Sequence, residues 1–182
     1  MPPSSGRPST LSPEYAFLGF LTQQPAHGYE LHQQLVANLG QLWHISLSQA
    51  YNILNRLETQ GYIAGTLQEQ DKLPARRRFR ITAKGRRHFD EWLHSPLGTS
   101  VRVVRVEFIT RLYFACAADS EVARELLETQ TTETHRGLNR LQDILLELPA
   151  EQTFNRLGLE LRIRQLKSLL EWLSECRSAL SL

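Results

Sequence analysis

The chain has 182 residues, enough for one or two domains with a real hydrophobic core. Its formal net charge is only +2, from 21 Lys and Arg against 19 Asp and Glu, so no global field draws it toward a polyanion. It has no apolar run of the roughly 18 residues a membrane span needs, and the opening PPSSGRPST has no apolar signal segment; a soluble cytoplasmic protein is expected. Cys116 and Cys176 sit in apolar helical contexts without CxxC spacing and read as buried small hydrophobes.

Residues 1–11, rich in Pro, Ser and Gly, are expected to form a flexible tail. Ser12-Pro13 then opens a first helix, with Ser as N-cap and Pro at the first helical position, where its missing N–H costs nothing. Phe17, Leu18 and Leu21 form its apolar stripe, and Gln24-Pro25 ends it. A second helix starts near Gly28. Leu31, Leu35 and Leu39 repeat along it every four residues, and Gly40 is placed for a left-handed C-terminal residue.

The third helix opens on a capping box, Ser46-x-x-Gln49. Ala50, Ile53, Leu54 and Leu57 follow at helical spacing and must face a core. The opposite face then carries Ser48, Gln49, Asn52, Asn55, Arg56 and Thr59, short donors and acceptors with few long charged chains. Asn and Gln pair bidentately with adenine edges and Arg with guanine, so this face suits base reading; a merely solvated face would be richer in Lys and Glu.

Gly61 ends that helix. Residues 62–67 read as a strand and residues 78–82 as its antiparallel partner, with the intervening QEQDKLPA as a solvent-facing tip in which Pro74 prevents a long exposed edge. From residue 72 to 88 there are eight basic side chains (Lys72, Arg76, Arg77, Arg78, Arg80, Lys84, Arg86, Arg87) and no acidic one. The positive charge is therefore a patch beside the polar helix, the asymmetry that phosphate neutralisation requires. Thr82 caps a fourth helix, whose Phe89, Trp92 and Leu93 face inward, and Pro96-Leu97-Gly98 marks a boundary.

Beyond the boundary only helices are expected. Residues 101–118 give one, with Val104, Phe108, Leu112 and Ala115 on one face and a β-branched start that favours fraying. Residues 119–148 give a long one behind an Asp119 or Ser120 cap, with a helically weak polar middle, ETQTTETHRG, and Pro149 at its end. Residues 152–181 give another, with so wide an apolar surface that a partner subunit is the economical way to cover it. Leu161, Leu166, Leu169 and Leu173 are the expected dimer contacts.

Taken together, the chain is expected to be mostly α: a winged helix-turn-helix with a two-stranded wing over residues 12–95, and an antiparallel long-helix dimerisation domain over residues 100–182. Residues 16–94 resemble the PadR family of transcriptional regulators. The resemblance rests on Gly28-Tyr29-Glu30-Leu31, Trp43 with Ser46, Ser48-Gln49-Ala50-Tyr51, Leu54, Arg56-Leu57-Glu58, Gly61-Tyr62-Ile63 and Ile81-Thr82-x-x-Gly85 behind a basic wing. The second half, RxEFxxRLYFA followed by two long helices ending in LLEWL, is similar in layout to longer members. The resemblance implies a homodimer that binds a palindromic operator in double-stranded DNA, repression as the commoner mode, and in many members release by a small-molecule effector bound between the two parts.

With the resemblance added, the expected DNA contacts are Ser46, Ser48, Gln49, Tyr51, Asn52, Asn55 and Arg56 on the helix and Arg76, Arg77 and Arg78 on the wing. Two departures bear on this. Asn52 stands where the family usually has Pro, which restores a backbone N–H and a straighter helix. Leu73-Pro74-Ala75 stands where Gly is frequent, so the wing tip differs.

No HExxH is present and neither cysteine has a nearby His, so no catalytic, metal or cofactor site is expected. The competing reading is a winged-helix module that binds another protein instead of DNA; such modules usually lose the basic wing. The aromatics Phe17, Phe20, Trp92, Phe108, Tyr113 and Trp172 read as core more readily than as a ligand box.

Overall fold

The first helix, α1 (Glu14–Gln23), is apolar on every side from Ala16 to Leu21, and all six of those residues are buried. A helix of that composition belongs in the middle of a core. It starts one residue later than the Ser-Pro signal suggests: Pro13 occupies the capping position, while the Ser12 hydroxyl still accepts the Glu14 N–H at 3.3 Å. These observations come from a computed structural model, which describes the backbone of residues 12–70, 73–97, 100 and 103–182 and the side chains of all of these except 68–70 and 73–76. The expected tail 1–11, the wing residues 71–72, Gly98 of the boundary and Arg102 of the next helix lie outside the described residues.

A two-residue strand, β1 (Ala26–His27), leads into α2 (Gly28–Leu39), and the Glu30 carboxylate accepts the His27 N–H at 2.8 Å to close the first turn. Leu31, Leu35 and Leu39 are buried as their spacing predicts. Gly40 is right-handed (φ −65°), not left-handed as expected. Glycine is needed there for room, because a Cβ would lie 2.4 Å from the Val36 carbonyl oxygen. The turn that follows is pinned by His32, whose Nε2 lies 2.7 Å from the Ile45 carbonyl oxygen.

Helix α3 (Leu47–Thr59) is capped as its sequence predicts: the Gln49 N–H donates to the Ser46 hydroxyl at 3.2 Å and the Ser46 N–H to the Gln49 side chain at 2.8 Å. It ends in a Schellman turn. Gly61 is left-handed (φ 74°), its N–H reaches the Glu58 carbonyl, and the Tyr62 N–H reaches the Leu57 carbonyl. Strands β2 (Ile63–Gln70) and β3 (Leu73–Ile81) pair antiparallel, and β1 joins the other edge of β3 to give the order β1-β3-β2. The two-stranded wing expected from the sequence is the β2–β3 hairpin, and β1 adds a third strand that the sequence reading did not include. The hairpin is also longer than expected: pairing continues to Gln70↔Leu73, with an irregularity between Gln68 and Gln70, so Pro74 belongs to a strand and not to a loop.

Thr82 caps α4 (Ala83–His94), accepting the Gly85 N–H at 3.0 Å and donating to the Gly61 or Tyr62 carbonyl. The Ile81-Thr82-x-x-Gly85 pattern thus has a physical reason. A Cβ on Gly85 would lie 2.0 Å from the Tyr62 carbonyl oxygen, so the helix can approach β2 only with glycine there.

The described residues divide between Ser95 and Pro96 into two units. The second has a π-helical segment (Val104–Phe108) that runs into α5 (Ile109–Ala118), so the described part of the β-branched start, from Val103 on, is helical. Two long helices follow, α6 (Ser120–Glu147), capped by Asp119, and α7 (Thr153–Ala179). One apolar cluster gathers Val104, Phe108, Leu112, Ala115, Ala123, Leu127 and Leu173; a second gathers Leu138, Leu141, Ile163 and Leu166. Glu107 of the π-helical segment and Arg111 of α5 form a buried ion pair at 2.6 Å. The polar middle of α6 is helical throughout; there the Thr131 and Thr134 hydroxyls donate at 2.7 Å to the carbonyls of Leu127 and Gln130, and Thr134 is buried.

Candidate nucleic-acid interface

The apolar residues of α3 (Ala50, Ile53, Leu54, Leu57) are buried, which turns Ser48, Gln49, Tyr51, Asn52, Asn55 and Arg56 to solvent. The position of this face is set by its neighbours. The Tyr51 ring closes over Gly28, where a Cβ would lie 2.6 Å from the ring, so the Gly at the start of α2 exists to admit the tyrosine. His32 fixes the turn before α3, as noted above.

The expected contacts then separate by what already engages them. Ser46 and Gln49 spend a hydroxyl and an amide oxygen on the capping box. Among the described residues no hydrogen bond engages the side chains of Ser48, Asn52 or Asn55, and all three are exposed. Arg56 is ion-paired with Glu14 of α1. It lies in the last turn of α3, far from the capped end.

On the wing, strand alternation divides the arginines. Arg77 shares a face of β3 with the buried Phe79, and it turns back onto α3: its guanidinium meets the Glu58 carboxylate at 2.7 Å and lies 5.6 Å from the Phe79 ring centre. Arg78 and Arg80 lie on the other face. Arg78 donates to the Pro25 carbonyl at 3.2 Å, at the rim of an open polar cleft lined by Gln24, Glu30, Gln33 and Gln34. Arg80 and Arg87 are exposed and make no ion pair or hydrogen bond among the described residues. The side chain of Arg76 lies outside those residues. Lys84 donates to the Gln60 carbonyl at 2.8 Å and covers the Tyr62 ring.

Residues 17–91 match the model of the transcriptional regulator PadR-like family. The N-terminal unit therefore carries a PadR-like regulator domain. Residues 104–181 match a second model, the virulence activator alpha C-terminal domain, so each unit has its own counterpart. The chain is 28% identical over 131 residues to the negative transcriptional regulator PadR of Bacillus subtilis (strain 168), covering 71% of this chain and 70% of that protein. Among solved structures, Bacillus subtilis PadR in complex with operator DNA is 24% identical with a TM-score of 0.44, over 92% of this chain and 98% of that one. The PadR-like transcriptional regulator BC1756 from Bacillus cereus is 20% identical with a TM-score of 0.41, over 98% and 99%. Superpositions at these values supply no residue correspondence, and the site of this PadR-like chain rests on its own geometry.

Of the four leucines expected at a subunit interface, Leu161 is 58% exposed, Leu166 and Leu173 are only 6% and 2% exposed, and Leu169 is half-buried between the two apolar clusters. Helix α7 uses Leu166 and Leu173 to pack within its own unit. Among the described residues of this unit, the large apolar side chains left exposed are Phe154, Leu157 and Leu161 on α7, Leu180 at its end, and Ile144 and Leu146 on α6. Cys116 is exposed and Cys176 half-buried, not buried as expected; partial desolvation pushes both thiols upward, and Glu175 adds to the effect at Cys176. Among the described residues no group of three or more His, Cys, Asp or Glu is placed to hold a metal ion, and no helix is long and apolar enough to cross a membrane.

Sequence reasoning missed the roles of Glu58, Arg80 and Gly28. For the wing arginines the signal was present: in RRRFRI the residues at even spacing from buried Phe79 share its face, which separates Arg77 from Arg78 and Arg80. Nothing local foretold the tyrosine over Gly28, because that contact joins two helices.

Proposed function

We propose that this PadR-like regulator is a cytoplasmic DNA-binding repressor that binds a palindromic operator as a homodimer. The observation that carries the reading is the face of α3, where Ser48, Asn52 and Asn55 are exposed with no hydrogen bond among the described residues on a helix held rigidly by its cap and by Tyr51. A base-reading helix needs side chains that are positioned yet unspent. Asn52 would take adenine edges, while Arg78 and Arg80 would neutralise phosphates, fixing register without reading sequence. Repression is supported by the printed name of the 28% identical relative, a negative regulator.

The homodimer is supported by the exposed Phe154, Leu157 and Leu161, an apolar stripe too continuous for a monomer surface. Two-fold symmetry would then set half-sites about one helical turn, or a multiple of it, apart. A small-molecule release signal belongs to the same reading and rests on the resemblance to that family alone.

Fluorescence anisotropy with DNA selected from a random pool by the purified protein tests this. Affinity should fall linearly on a log–log plot against salt, and Asn52→Ala should cost about 1–3 kcal/mol on the selected site but not on random DNA. A protein-interaction module would give no salt-dependent DNA binding at all.

A further inference from the structure

Glu58, Gly65 and Arg77 form a three-part junction between α3, β2 and β3. One carboxylate oxygen of Glu58 accepts the Gly65 N–H at 2.9 Å and the Arg77 guanidinium at 2.7 Å. A Cβ on Gly65 would lie 2.6 Å from Arg77 Nε and 3.0 Å from that same oxygen, so the junction closes only over glycine. Arg77 therefore has a charged partner within the fold, on the sheet face that carries Phe79.

We propose that this junction is a positioning latch: Glu58 sets the angle of the wing to the DNA-facing helix through Arg77 and Gly65, and Arg77 neutralises no phosphate of its own. The assignment rests on the DNA-binding reading given above. It divides the arginine run by function. Arg78 and Arg80 supply charge to the backbone of the nucleic acid, whereas Arg77 spends its charge inside the protein to hold the strand that carries them.

The physical basis is geometric. A wing that is free to swing presents its cations over a range of positions, and ordering it costs conformational entropy on binding. A charge-assisted bond from the last turn of the helix to the strand removes that freedom beforehand. The carboxylate is suited to this because it has lone pairs for a backbone donor and a guanidinium at once.

The test is the salt dependence of DNA affinity for the full-length wild type, Arg77→Ala, Glu58→Gln, Gly65→Ala and the double variant Arg77→Ala with Glu58→Gln, with Arg80→Ala as control. Gly65→Ala keeps both charges, and the atoms it displaces belong to the Arg77 and Glu58 side chains and not to backbone; circular dichroism and thermal unfolding check that each variant is folded. Expected are equal, several-fold losses of specific affinity in the three single variants, no further loss in the double variant, and an unchanged slope for Arg77→Ala. Arg80→Ala should lower the slope by about 0.9, the value for one lost phosphate contact. A slope lowered by that amount in Arg77→Ala, or additive losses in the double variant, overturns the latch while leaving the DNA-binding reading intact. A wild type without salt-dependent binding overturns that reading and the latch with it.

Discussion

In the N-terminal unit the joints between elements are closed by directional bonds, while the C-terminal unit depends on leucine stripes between long helices. Around the sheet these bonds include the capping box of α3, the Schellman turn at Gly61, the Thr82 cap, the His32 bond to the Ile45 carbonyl and the Glu58 junction. In the second unit α6 and α7 meet through Leu138, Leu141, Ile163 and Leu166, and the directional bonds between them among the described residues are few: the surface pair Arg177–Glu128, and Arg156 donating to the Leu145 and Leu148 carbonyls where α6 ends. Directional bonds fix where side chains point, as a surface that reads another molecule must. Apolar stripes fix only that helices lie together, and they leave Phe154, 88% exposed, with nothing of its own unit to cover it. The first unit is built for geometry and the second for area.

The comparison can be broken hardest at Leu173 and Leu161, two residues of one helix in opposite surroundings. Leu173→Ala empties a site in the first apolar cluster and should cost about 2–5 kcal/mol in denaturant unfolding of the helical unit. Leu161→Glu should leave helicity by circular dichroism unchanged and shift sedimentation toward the monomer. Equal damage from both would mean that the exposed stripe is not an interface, and an unchanged sedimentation coefficient for Leu161→Glu would mean the same.

How much of this was legible in the sequence follows the range of each signal. The cap of α3, Gly61 and Thr82 act over three or four residues, and each stands where its pattern implies. Strand β1 could not be read: two residues show no period, and they are a strand only because Phe79 and Arg78 lie beside them. The apolar content of α7 was plain, but which leucines meet α6 depends on how two helices rotate against each other, so Leu166 looked like Leu161. Gly40 had the right position for a left-handed turn, yet the nearby Val36 carbonyl, not the dihedral, demands glycine there.

A smaller effect is expected where the geometric unit is tightest. Gly85→Ala drives a Cβ against the Tyr62 carbonyl oxygen, a backbone atom that cannot step aside as a side-chain end can. Overpacking of this kind costs about 1–3 kcal/mol. In a Trp172→Phe background, two-probe thermal unfolding should show the loss in tryptophan fluorescence, then from Trp43 and Trp92, the latter stacked on Tyr15, with little change in the helical signal of the long helices. A destabilisation of both units together would show that they do not unfold separately.

The smallest effect, and the sharpest use of the comparison, concerns Arg56. Its guanidinium lies on the Glu14 carboxylate, and the pair joins α3 to α1 across 42 residues of sequence. Arg136 and Glu133 make a similar pair on α6, but only three residues apart on one helix. Exposed pairs of this sort are worth about 0.2–1 kcal/mol, since water screens them and both side chains lose freedom. A bond across two elements should sit at the upper end of that range, because it constrains tertiary structure as well as a local turn. Arg56→Ala and Glu14→Gln should therefore lower the melting temperature of the N-terminal unit equally, by no more than the roughly 4–8 °C that 1 kcal/mol represents in a domain of this size, and Arg136→Ala should do nothing measurable. DNA binding separates the two roles open to Arg56. If it is a strut, both variants leave the salt slope unchanged. If it also reaches a phosphate, Arg56→Ala lowers the slope by about 0.9 and Glu14→Gln does not, since that change removes the tether and spares the cation. The geometry, with Arg56 bound at the end of α3 remote from its capped first turn, favours the strut.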